Sequence, residues 1–189
     1  MTVRLLAAIA VAVLLAGCGG DPGPAPDRNA AAAPVVLRAA TLRPGEAVPA
    51  PAGSPLISVT GEVGPANQGD AVALDRRTLA RLAQVELTTY EPWVKEDLSF
   101  RGVWLTDVLA LAGAAPTAGV RVTALDDYTV DFSAADLRGG GILLATSDGA
   151  GADIPIENGG PTRIVFQRGL RAGANADQWI WSLRSIEVR

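Results

Sequence analysis

The sequence predicts a mixed α+β domain that is predominantly β. Two observations carry that reading. Between residues 56 and 189, many short runs rich in β-branched and aromatic residues are separated by Gly-, Pro- and Asp-rich turns. Only two or three runs show helical spacing, all of them short, and no segment repeats another.

The chain opens with a targeting signal. Arg4 gives a positive start, and residues 5–15 form an apolar run too short to span a bilayer. The run ends in Leu15, Ala16, Gly17 and Cys18, small residues before a cysteine in the form of a bacterial lipobox. Residues 1–17 are therefore expected to be a lipoprotein signal peptide, with Cys18 the lipidation site and mature N-terminus. The protein is expected to be extracytoplasmic, lipid-anchored to the bacterial cell membrane or outer membrane. Residues 18–55 read as a Pro/Ala/Gly-rich tether: eight of the 13 prolines fall there and no aromatic does. Val35, Val36 and Leu37 are an exception that can add an edge strand.

The folded domain is expected over residues 56–189. Residues 56–63 alternate as a strand, 64–69 turn, and 72–74 form a short strand. Asp75 caps a helix to about residue 83, with Leu79 and Leu82 inward. Residues 85–90 form a strand, followed by a polar loop to residue 97. Residues 98–113 are the organising unit. A brief strand at Leu98, Ser99 and Phe100 turns at Arg101 and Gly102. Leu105, Val108, Leu109 and Ala112 then make one helical face. Thr106 is placed at the cap or first turn, Asp107 favours the positive helix end, and Gly113 ends the helix in the left-handed conformation. Residues 120–125 and 129–132 form a hairpin about Asp126, Asp127 and Tyr128, and Ser133 with Asp136 has capping-box spacing. Strands follow at 142–146 and 163–166. Trp179, Trp181 and Leu183 alternate into a closing strand that ends at residue 189.

Composition removes whole reaction classes. There is no histidine, one cysteine and one lysine, Lys95. No Ser-His-Asp or Cys-His site and no zinc site of histidine or clustered cysteine can be built. The net charge of −4 and the lack of a basic run argue against a nucleic-acid partner.

Four pieces, in order, resemble the molybdopterin-binding domain of the sulfite oxidase family. They are LDRRTLARLAQVELTT at residues 74–89 and FRGVWLTDVLALAG at 100–113; then ILLAT at 142–146 with GGPTRIVF at 159–166; and finally WSLRSIEV at 181–188. The resemblance implies the sulfite-oxidase-type fold, compact α+β with a largely mixed β-sheet and a few short helices. It makes molybdopterin a possible cofactor. It also places the molybdenum-ligating cysteine in the loop after residues 85–89, which here reads YEPWVKED with no cysteine. The family's basic and histidine contacts to the pterin phosphate lack counterparts, and the lysine before the final strand falls at about Trp181. A soft thiolate and cationic phosphate contacts are what such a cofactor needs.

A pocket is expected from Tyr90, Trp93 and Trp104, with Arg101, Asp127, Tyr128 and Arg163 as polar contacts. The favoured reading is plainer and makes Trp93 and Trp104 core aromatics, Arg101 and Arg163 surface cations, and the Trp179–Trp181 alternation cross-sheet packing. No catalytic or metal-ligating residue is assigned. The expectation is a non-catalytic envelope lipoprotein, held to the membrane through Cys18 and binding a small ligand or an envelope protein. The alternative is a molybdopterin-dependent oxidoreductase, or an accessory to one, with an unconventional ligand set.

Overall fold

The computed structural model describes residues 32–189. The expected signal peptide, Cys18 and the tether as far as residue 31 lie outside the described residues. In chain order the elements are β1 (Val35–Arg38), β2 (Ile57–Gly61), β3 (Val72–Leu74), α1 (Arg76–Leu79), β4 (Gln84–Glu91), β5 (Glu96–Trp104), α2 (Leu105–Leu111), β6 (Val120–Ala124), β7 (Thr129–Phe132), α3 (Ala134–Arg138), β8 (Ile142–Asp148), β9 (Arg163–Phe166) and β10 (Leu183–Val188). The domain is mostly β-sheet with a few short helices. Its strands form two five-stranded sheets, in orders β1-β4-β5-β8-β9 and β3-β2-β10-β6-β7. All ladders are antiparallel except β2 with β10.

The second sheet follows the expected alternation. Ile57 and Val59 on β2, Val120 and Val122 on β6, and Ile186 and Val188 on β10 are all buried. The first sheet holds the longest strands, and β8 and β9 carry unbroken buried runs at Ile142–Ala145 and Ile164–Phe166. The segments before β9 and β10 tie the sheets together: the Leu183 N–H donates to the Thr162 carbonyl at 2.8 Å, and the Ile164 N–H to the Ile180 carbonyl at 2.8 Å. The α2 face behaves as its spacing predicts, with Leu105, Val108, Leu109 and Ala112 buried. Gly113 follows with φ +79°.

Several local expectations are corrected. Arg101 and Gly102 do not form a turn; β5 runs through them to Trp104, with a bulge against β8 between the two residues. Gly102 is required there for packing, because a Cβ would lie 2.1 Å from the Leu144 carbonyl oxygen of the neighbouring strand. Trp104, with no side-chain cap bond, takes the cap position before α2, and Thr106 stands in the first turn, one of its two expected places. Asp107 stands in the first turn of α2, as expected, and burial raises its carboxyl pKa from the ordinary value. α1 keeps its Asp75 cap, through a 2.8 Å bond from the Thr78 N–H, but has only four residues.

The edge strand expected at Val35, Val36 and Leu37 is present, and the tether reading changes for the residues after it. β1 pairs with β4 as an edge strand, its side chains exposed. Leu42 is buried, its N–H and that of Thr41 donating to the Arg81 carbonyl. The Ala52 N–H donates to Asp75 Oδ2 at 2.9 Å, and Asn67 Nδ2 to the Pro49 carbonyl at 2.8 Å. A proline-rich segment is held here by polar groups of the domain and by Leu42 and Val48 packing on the core, which composition cannot register.

Candidate functional site

β4 alternates inward at Val85, Leu87 and Thr89, and the same parity carries Glu91 to the interior, fully buried. β9 is buried along its length and begins with Arg163. The two charges meet: Arg163 Nη2 donates to Glu91 Oε1 at 2.6 Å, with side chains 3% and 0% exposed. Arg163 Nη1 donates to the Asn158 carbonyl at 2.9 Å, and the Val94 N–H donates to Glu91 Oε2 at 2.5 Å. The guanidinium carbon lies 5.0 Å from the ring centroid of Phe100 and 4.6 Å from that of Trp181. Burial pushes the guanidinium pKa down from its ordinary value; the Glu91 charge and hydrogen bond push it back up. Among the described residues, Arg163 Nε and Trp181 Nε1 are buried donors without a hydrogen-bond partner.

A cavity of about 440 Å³ opens beside Trp181. Trp93 reaches it from the β4–β5 turn, Asp126 and Tyr128 from the β6–β7 turn, and Asp177, Trp179 and Trp181 from the stretch leading into β10. Tyr128 Oη donates to the Asp177 carbonyl at 3.0 Å, which fixes that ring. Trp179 Nε1 donates to the Gly173 carbonyl at 3.0 Å, and its ring packs on Phe166 at 5.4 Å between centroids. Gly159, at φ +84°, lets the chain pass Trp181; a Cβ would stand 2.7 Å from the indole ring. Asp126 and Asp177 make no ion pair among the described residues, and no Lys or Arg lines the cavity.

The expected pocket residues divide. Trp93 and Tyr128 share this cavity, and Arg163 lies against Trp181. Tyr90 points the other way from β4, into a second cavity of about 220 Å³ with Arg168, Arg171 and Trp179. Arg101 pairs across the sheet with Glu86 at 2.7 Å. Asp127 turns away to Arg184 at 2.6 Å. Trp104 is half-buried against the core. Trp93 is not core, being 54% exposed, and Arg163 is not a surface cation. Trp179 and Trp181 precede β10 rather than alternating within it. Glu91 is not among the site residues expected from the sequence, although it continues the odd-numbered inward positions of β4, which is a signal of its burial.

The donor chemistry does not fit a molybdenum-bound pterin. The segment that the resemblance assigns to the thiolate supplies Glu91, a hard oxygen donor whose two oxygens are already taken by Arg163 and Val94. Among the described residues no three His, Cys, Asp or Glu side chains are grouped to hold an ion. A sequence-family profile described as "Oxidoreductase molybdopterin binding domain" matches residues 73–188, 116 of the 189 residues. No curated protein matches the chain.

Proposed function

The chain belongs to the oxidoreductase molybdopterin-binding domain family, and from that membership we propose a non-catalytic binding module on a sulfite-oxidase-type α+β fold, displayed outside the cytoplasm on a lipid carried by Cys18. The observation that carries the proposal is the buried Glu91–Arg163 pair. Glu91 stands in the segment where the family resemblance places the metal-binding thiolate, and the pair offers that metal no soft ligand. The neighbouring aromatic cavity has acidic groups and no cation in its lining, which disfavours an anionic pterin phosphate. Its size is within the roughly 300–1,000 Å³ typical of small-molecule clefts, so a small ligand is the favoured occupant. A second reading, a molybdopterin-dependent oxidoreductase or an accessory to one, draws on the extent of the family match.

Elemental analysis for molybdenum and tungsten, with pterin fluorescence, separates the two on full chain from a cofactor-competent host. The binding-module reading expects neither metal nor pterin. Near-stoichiometric molybdenum overturns it and sends the search for a ligand to residues 90–97.

A further inference from the structure

We infer that the cavity between the two hairpin turns is a site for a small organic cation of the quaternary-ammonium class, taken up as a free solute. The inference rests on the binding-module reading and names the chemistry of its ligand. Four aromatic side chains contribute to the lining, and two of them, Trp93 and Tyr128, remain 54% and 48% exposed. Large exposed rings at two turn tips are costly to leave in water unless something covers them. Tyr128 is not free to swing away, because its hydroxyl is held by the Asp177 carbonyl.

The charge of the lining selects the occupant. Aromatic ring faces carry negative potential and attract cations, most strongly cations that are weakly hydrated. Asp126 and Asp177 belong to the lining and bring two negative charges to it, neither ion-paired among the described residues. Asp126 is held in place by the bond that its Oδ1 accepts from the Tyr128 N–H at 3.1 Å. The nearby Arg184 is tied to Asp127 at 2.6 Å, which neutralises it. Arg163 already occupies one face of Trp181 and is itself paired with Glu91, so Trp181 and the mostly buried Trp179 serve as wall. Trp93 and Tyr128 supply the faces for the cation. An anion meets two carboxylates and no lining cation; a neutral apolar solute gains contact area but nothing from the charges.

The test uses full chain in non-ionic detergent, with choline as probe and 3,3-dimethylbutan-1-ol as its neutral carbon isostere, read by calorimetry and tryptophan fluorescence. Choline is expected to bind at least about 10-fold tighter than the isostere. Trp93→Ala, at an exposed turn position, is expected to weaken choline about 5–30-fold while the thermal unfolding midpoint holds. Asp126→Asn combined with Asp177→Asn is expected to weaken choline and flatten its salt dependence. Equal affinity for choline and the isostere, or no binding of choline at millimolar concentration by a metal-free, pterin-free preparation, overturns the inference and leaves the binding-module reading standing. Molybdenum in the same preparation overturns that reading, and this inference with it.

Discussion

Arg163→Met leaves Glu91 as an uncompensated charge in the protein interior. Arg163 and Glu91 are 3% and 0% exposed, so water does not reach the carboxylate to replace the lost guanidinium. Its remaining partner is the Val94 N–H. Breaking a buried pair by removing one member costs about 3–5 kcal/mol, about a fifth or more of the roughly 5–15 kcal/mol that holds a domain folded. At about 2–4 °C per kcal/mol for a domain of this size, the expected fall in melting temperature is roughly 6–20 °C. The charge-neutral double variant, Glu91→Gln with Arg163→Met, removes both charges and is expected to recover most of that loss. Urea unfolding followed by tryptophan fluorescence measures all four corners of the cycle, since Trp181 lies against the pair. Single variants that cost under about 1 kcal/mol, the range of surface pairs, would refute the reasoning. So would a double variant whose loss equals the sum of the singles.

Two further outcomes are expected. The Asp75 carboxyl is held below its usual range by the N–H of Ala52 first and of Thr78 second. A lowered folded-state pKa adds stability above the unfolded value of about 4, and that stability is lost as pH falls through the folded value. Asp75→Ala should therefore cost about 1–2 kcal/mol at neutral pH, with the gap to wild type narrowing below about pH 4; a gap independent of pH would contradict the assignment. Cys18→Ser should move the chain from the membrane fraction to the soluble fraction and abolish incorporation of labelled fatty acid, and unchanged labelling would remove Cys18 as the lipid site.

Strands whose alternation is decided locally are legible in the sequence. Residues 57–61, the 120–132 hairpin, the Ser133 capping box and the buried face of α2 all follow from spacing of two or of about 3.6 residues, or from a side chain bonding its own backbone. The family likeness was equally legible, since four ordered segments need no coordinates. The remaining features depend on contacts between segments far apart in the chain. β5 continues past Arg101 because β4 and β8 flank it on both sides, a fact with no local signature. Residues 41–52 dock through hydrogen bonds to partners 18–40 positions away, so their proline-rich composition misreads them. Glu91 lies on the inner face of β4 by parity alone, yet only β9 could show that Arg163, 72 residues on, arrives to pair with it. The aromatic cavity is likewise assembled from three distant turns. Side-chain periodicity reports which way a residue faces; which charge or ring it meets there depends on strand order, and strand order is set by the packing of the whole domain.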